Sequence, residues 1–258
     1  MPDVQYDKYD PENDEAWRKI LAHQHWTPLA LLPTEPRCQV CRVPFAGVGG
    51  VIGNLMGFKP WKKNPSLCNR CTTSMPAGGI EIDTVVLFAD IRGSTRLAEE
   101  LGHIKFAKLL NHFYKVSTMA LVPRRALIDK MIGDEVMALF FPLAGAAYRR
   151  ASVEAAIELH RAVSSTEWGD VTPGVGIGLY AGDAWVGRIS ETDENEFTAL
   201  GDTVNVAARL QAEAAPGQLV LSEELYELAE DLLPNAEQKT LTVRGRSEPV
   251  AVRVASIS

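Results

Sequence analysis

Three short segments of the chain gather residue types suited to phosphate and metal chemistry. The first, Leu87-Phe88-Ala89-Asp90-Ile91-Arg92-Gly93-Ser94-Thr95, ends an apolar, β-branched run on an aspartate. A carboxylate at a buried strand end offers hard oxygens to a cation. Gly93 lets backbone approach a ligand closely, and the N–H groups that open a helix at Ser94 and Thr95 can cradle phosphate oxygens. The second, Asp129-Lys130-Met131-Ile132-Gly133-Asp134-Glu135, sets Lys130 and Asp134 astride a tight turn, so that an ammonium and a metal-seeking carboxylate share one hairpin. The third runs Phe197-Thr198-Ala199-Leu200-Gly201-Asp202-Thr203-Val204-Asn205-Val206-Ala207-Ala208-Arg209-Leu210. On a helix capped at Asp202 or Thr203, Asn205 and Arg209 are four apart on one face, an amide and a guanidinium forming one donor array. Each segment alone also has an ordinary reading: a helix-capping Asp, a solvated hairpin, a polar helix stripe.

A fourth group is chemically distinct. The chain has four cysteines, and all fall in two Cys-x-x-Cys pairs, Cys38/Cys41 and Cys68/Cys71, with 26 residues between them. Four thiolates so paired suit a tetrahedral structural Zn²⁺, with an iron–sulfur cluster as the alternative and disulfides or free thiols last. The five histidines form no ligand grouping with them. Trp61-Lys62-Lys63 and Arg70 add local positive charge that reads as a solvated loop.

The elements that must position these residues follow from pattern. Residues 1–37 are rich in Pro and charge, with one short helix from Asn13 to about His25, after which Pro28, Pro33 and Pro36 keep the chain extended. Residues 38–71 form the cysteine module, and 72–82, with Pro76, Gly78 and Gly79, read as a linker. From 83 to 258 strands and helices alternate. A strand at Thr84–Ala89 leads to a helix that Ser94-Thr95 can cap, carrying Leu97, Leu101, Ile104, Leu109 and Phe113. A hairpin of Ala126–Ile132 and Glu135–Phe141 precedes an Ala-rich helix at about Ala144–Val163. Strands at Gly174–Ala181 and Ala184–Ile189, joined by a Gly182-Asp183 turn, come before Phe197–Leu200, the Asn205/Arg209 helix, Gln218–Leu221 and two C-terminal strands. The order β-α-β-β-α-β with extra strands predicts a ferredoxin-like α+β sandwich.

Composition narrows the function. Of 258 residues, 46% are hydrophobic and 23% charged, as in a soluble globular protein, and no apolar run reaches the roughly 20 residues of a membrane span. The acidic, polar start Met1-Pro2-Asp3 is unlike a secretory signal, which makes the cytoplasm the expected compartment. A net charge of −7 weighs against a nucleic-acid binder, yet bound cations allow an anionic small substrate.

Read together and in this order, Phe-x-Asp-Ile-x-Gly-Ser-Thr, Lys-x-x-Gly-Asp and Thr-x-x-Gly-Asp-Thr-Val-Asn-x-Ala-x-Arg-Leu make residues 83–255 resemble the class III adenylyl/guanylyl cyclase catalytic domain. The resemblance implies two Mg²⁺ or Mn²⁺ ions on Asp90, Asp134 and the Ile91 carbonyl. It implies adenine reading by Lys130 and Thr198, ribose orientation by Asn205 and transition-state stabilisation by Arg209. Gly93, Ser94 and Thr95 would meet the phosphates, and Arg244, in Val243-Arg244-Gly245-Arg246, the terminal ones. It further implies a homodimer in which the carboxylates of one chain face Lys130, Thr198, Asn205 and Arg209 of the other, converting ATP to cyclic AMP and pyrophosphate. Because a threonine hydroxyl can donate as well as accept, the base reading expected at Thr198 leaves room for some GTP turnover.

Two other functions compete with this one. Gly133-Asp134-Glu135 partly echoes the turn of diguanylate cyclases, but Ile132 and Val136 depart from that pattern. A catalytically silent nucleotide-binding signalling domain is the alternative from another class; Ser190, where relatives commonly carry Gly, and Asp183 are the departures that favour it. The N-terminal 80 or so residues are the expected port for a regulatory input.

Overall fold

A computed structural model describes residues 11–21, 28–32, 34–61, 64–142, 147–189, 197–242 and 249–257. Helix α1 spans Pro11–Leu21, and a 3-10 turn at Pro28–Leu31 stands where extended chain was expected. The cysteine module contains α2 (Gly47–Leu55), the short pair β1 (Pro60–Trp61) and β2 (Asn64–Cys68), and α3 (Asn69–Ser74). Segment 72–82 is taken up by the end of α3 and the start of β3 (Gly78–Ile91). Then come α4 (Ser94–Leu121), β4 (Leu127–Ile132), β5 (Glu135–Phe140), α5 (Tyr148–Ser165), β6 (Val175–Arg188) and β7 (Phe197–Leu200). The chain continues through α6 (Asp202–Glu213), β8 (Gln218–Ser222), α7 (Glu223–Glu227), β9 (Glu237–Leu241) and β10 (Val250–Ser256). The far end of the expected first helix at His25, together with Pro33, Lys62, Lys63, Ala144, Ser190 and Arg244, lies outside the described residues.

One sheet carries the order β4-β5-β3-β6-β8-β10-β9, with β7 also on β6. The four strands β6-β3-β5-β4 are all antiparallel and reproduce the ferredoxin-like order of a β-α-β-β-α-β unit. Alternation along β3 divides the two faces. Val85, Leu87, Ala89 and Ile91 pack beneath α4 and α5, whereas Val86 and Phe88 face the cysteine module and α6. Trp17 of α1 is fully buried on this second face, 5.9 Å from the Phe197 ring, a burial worth about 4 kcal/mol.

Three local expectations are corrected. Gly182-Asp183 is not a turn: β6 runs unbroken, with Asp183 opposite Asp83 and Gly182 opposite Thr84. A ladder pairing Gly78–Ile91 with Val175–Arg188 outweighs a two-residue turn signal. Ser94 and Thr95 do not cap α4, nor do Asp202 and Thr203 cap α6. The caps are Gly93, at φ 69°, and Gly201, neither position having a side-chain cap hydrogen bond. Helix α4 is broken at Gly102 (φ 73°, ψ 159°), which shifts the helical phase and leaves Ile104 77% exposed instead of packed.

Candidate active site

The end of β3 and the β4–β5 hairpin bring two predicted carboxylates together. Asp90 pairs with Glu135 across the ladder, and the Ile91 N–H donates to the Asp134 carbonyl at 3.2 Å. Helix α4 braces the turn, with the Tyr114 hydroxyl donating to the Gly133 carbonyl at 2.6 Å. Burial raises the Asp90 pKa above its ordinary value; Arg92, paired with Asp90 at 2.5 Å, pulls it down, and the nearby Asp134 charge pushes it up. Glu135 is raised too, by burial and by the charges of Asp90 and Asp134. Half-buried carboxylates gathered at one strand end and hairpin make an oxygen donor set that fits divalent cations. Gly93 and Thr95 are exposed beside them and Ser94 is half-buried, at the helix opening where phosphate contacts were expected.

Lys130 owes its direction to a feature that motif reading does not show. The β4–β5 register slips between Ile128 and Lys130, which leaves Asp129 as an extra, bulged residue. Leu127 opposes Leu139 and Lys130 opposes Met137, and Leu139 and Met137 both belong to the cluster on the module's face of the sheet. Without the bulge, simple alternation would turn Lys130 to the face of Ile128, under α4 and α5. The bulge therefore places Lys130 on the side that Asp90, by its parity with Val86 and Phe88, also takes.

Thr198 is 1% exposed, and its hydroxyl donates to the Asp129 carboxylate at 2.8 Å. The structure thus joins Thr198 to the residue preceding Lys130. Asn205 and Arg209 stand exposed on α6, while Val206 and Leu210 on the opposite side pack against Val220 and Val252. That helix lies directly on β6 at Gly178, where a Cβ would sit 2.2 Å from the Gln211 nitrogen, so only glycine permits the approach. Among the described residues no hydrogen bond or ion pair joins Asn205 or Arg209 to Asp90, Asp134 or Lys130 within one chain.

The four cysteines form a closed cage. All are buried, and their sulfur atoms lie within 4.8 Å of one another. Cys41 Sγ is 3.7 Å from Cys68 Sγ, far beyond the ~2.05 Å of a disulfide. Backbone N–H groups of Cys68 and Cys71 donate to the sulfurs of Cys38 and Cys68, both at 3.3 Å. Burial opposes ionisation of Cys38, but the thiols of Cys41, Cys68 and Cys71 hydrogen-bond to it and hold its pKa well below the usual thiol range. Cys41 and Cys71 are pushed upward, first by their hydrogen bonds to Cys38. Four sulfur donors in this space could hold a metal ion. Sequence spacing singled out these four cysteines, which the structure brings together, whereas no role had been read for Asp129, Arg92 or Tyr114. The Asp129-Lys130 pair inside an otherwise apolar strand was the available signal of a bulge.

A β6-β3-β5-β4 sheet with carboxylates at a strand end and hairpin, a lysine strand beside them and an Asn/Arg helix defines a nucleotidyl cyclase domain of class III. The chain belongs to the adenylate and guanylate cyclase catalytic domain family, whose model matches residues 81–254. Among solved structures, the adenylyl cyclase CyaB from P. aeruginosa is similar, with a TM-score of 0.64 and 28% identity over 69% of this chain and 96% of that one. The guanylyl cyclase Cya2 gives a TM-score of 0.65 and 25% identity over 70% and 95%. An uncharacterised protein of Mycobacterium tuberculosis, Rv1319c, is 31% identical over 69% of this chain; the match spans 34% of that relative's length. No helix among the described residues is long and apolar enough to cross a membrane.

Proposed function

We propose that the chain is an adenylate cyclase, forming 3′,5′-cyclic AMP and pyrophosphate at sites shared across a homodimer. The observation that carries the base preference is the Thr198 hydroxyl donating to Asp129 beside Lys130. With its hydrogen committed to a carboxylate, Thr198 joins Asp129 in a pair that presents oxygen acceptors only. Acceptors suit the exocyclic amine of adenine and oppose the 6-carbonyl of guanine, and Lys130 supplies a donor for a ring nitrogen. ATP preference is therefore sharper than an unconstrained threonine hydroxyl gives. The adenylyl cyclase CyaB lends the reading support, and the guanylyl cyclase Cya2 marks the competing outcome.

In this reading Asp90, Asp134 and the Ile91 carbonyl would hold two Mg²⁺ or Mn²⁺ ions, which would supply charge neutralisation and lower the pKa of the ribose 3′-hydroxyl. The 3′-oxygen bonds to the α-phosphorus, the bond to the bridging oxygen of the β-phosphate breaks, and the hydroxyl proton leaves to solvent. Asn205 orients the ribose. Arg209 meets the negative charge that develops on the α-phosphoryl oxygens, as electrostatic catalysis of phosphoryl transfer requires. Backbone N–H groups at Gly93, Ser94 and Thr95 meet phosphate oxygens, and Arg244 meets the terminal phosphates. Asn205 and Arg209, exposed on α6 and joined by no hydrogen bond or ion pair to Asp90 or Asp134 among the described residues, favour completion of the site by a second copy.

At the cysteines we assign a structural Zn²⁺. Tetrahedral bonds of about 2.3 Å set ligand sulfurs roughly 3.8 Å apart, close to the Cys41–Cys68 spacing of 3.7 Å and compatible with the 4.8 Å within which all four sulfurs lie. A colourless protein with one zinc per chain is the supporting result; visible absorption would favour iron instead.

Asp129→Ala tests the base reading. Freed of its acceptor, Thr198 can donate to guanine, and the ATP-to-GTP ratio of kcat/KM falls about tenfold, the equivalent of one hydrogen bond. A ratio equal to that of wild type would remove Asp129 and Thr198 from base selection.

A further inference from the structure

The cysteine module does more than sit on the sheet, because its strand β2 is bonded to the strand that carries Lys130. The Ser66 hydroxyl accepts the Ile128 N–H at 3.0 Å, and the Asn64 side-chain amide donates to the Ile128 carbonyl. Both backbone polar groups of the residue just before the Asp129 bulge are thus met by side chains from β2. These side chains are themselves fixed: the Ser66 hydroxyl and N–H both donate to Asn64 Oδ1, the latter at 3.1 Å. Asn64 is 3% exposed and Ser66 fully buried, where an unmet polar group costs about 1–3 kcal/mol. Neither residue would persist there without its partners.

The anchor of β2 is the thiolate cage. Cys68 is the last residue of the strand, two positions from Ser66. From the other Cys-x-x-Cys loop the Gln39 N–H donates to the Ser66 carbonyl at 2.8 Å, and the Gln39 side chain donates to the Val122 carbonyl at 3.1 Å, just ahead of β4. Each half of the cage therefore reaches the sheet within a few bonds of the bulge.

We infer that Asn64 and Ser66 are positioning residues for Lys130, and that the ion held by the four cysteines sets base recognition through them. The inference rests on the reading of Lys130 and Thr198 as the base-selecting pair. A bulge is a local departure from ladder pairing, and it keeps its register only where the flanking residues are held. With Ile128 clamped, the extra residue falls at 129, Lys130 faces the site and Asp129 meets Thr198. With the clamp released, β4 can slip by one residue, which turns Lys130 to the opposite face.

The test uses the full chain and reads amide hydrogen exchange as well as kinetics. Ser66→Ala, with all four thiols intact, keeps its metal but exchanges the Ile128–Lys130 amides at least about tenfold faster, since the opening free energy drops by about one hydrogen bond. In the same variant KM for ATP rises about tenfold and the ATP-to-GTP ratio narrows, while kcat stays within about threefold of wild type. Ser66→Thr, which keeps the hydroxyl, restores both readouts; a purely structural role for Ser66 would not confine the change to β4 and KM. Removing the metal from wild type with a chelator accelerates the same amides. Metal loss or a broken Ser66–Ile128 bond that leaves β4 exchange unchanged overturns the clamp. Faster exchange with unaltered ATP and GTP parameters overturns its role in base recognition. If wild type forms no cyclic nucleotide, the enzymatic reading fails while the exchange arm still decides the clamp.

Discussion

At the residue scale, His160 gives the clearest pH signature. It is 3% exposed on α5 and its Nε2 meets the Gln218 carbonyl at 3.1 Å. Burial lowers its pKa from 6.5 to about 4, against a smaller upward pull from that carbonyl. Folded chains therefore stay neutral at this ring over a range where unfolded chains already bind a proton. Stability from this source is complete above about pH 6.5 and drains away as pH falls toward 4, by about 3 kcal/mol at most. Urea unfolding midpoints at pH 7.5 and pH 5 check this: His160→Gln should lose less stability on acidification than wild type, and parallel curves would contradict it. Asp129 belongs to the same scale. One bulged residue decides which face Lys130 takes and what Thr198 bonds to, although the Lys-x-x-Gly-Asp motif begins one residue after it.

At the element scale, the parts of the fold legible in the sequence were those governed by local periodicity. The apolar run ending at Asp90, the Gly133-Asp134 hairpin and the helix bearing Asn205 and Arg209 all fold as their patterns predict. What escaped is what depends on distant chain. Gly182-Asp183 carries a turn signal, yet Asp83 and Thr84, about a hundred residues away, hold it in a continuous ladder. The caps of α4 and α6 went to glycines rather than to the neighbouring Ser, Thr or Asp. Each Cys-x-x-Cys pair was legible because its spacing is local, whereas the docking of β2 onto Ile128 joins residues more than 60 apart in the chain and has no local signal. The Asp129 bulge was hidden for the same reason, since register is a property of two strands and not of one.

At the scale of the whole molecule, the module and the catalytic sheet share one hydrophobic cluster, in which the four cysteines pack with Leu127, Met137, Phe197 and Ala199. Loss of the proposed Zn²⁺ would therefore reach the catalytic domain directly. The proposed sharing of the site between two chains predicts complementation. Asp134→Ala and Arg209→Ala chains, each at least about a hundredfold less active alone, regain activity when mixed, because a mixed dimer assembles one intact site. Two folded, dimerising variants that fail to complement would exclude a site shared in this way.

The measurement that bears most directly on the central claim is product formation from ATP and, separately, from GTP with Mn²⁺, using wild type beside Asp134→Ala. Cyclic AMP from wild type, with much less cyclic GMP and neither product from the variant, is the predicted result. Metal-replete, folded wild type that forms neither cyclic nucleotide, or that favours GTP, would contradict it.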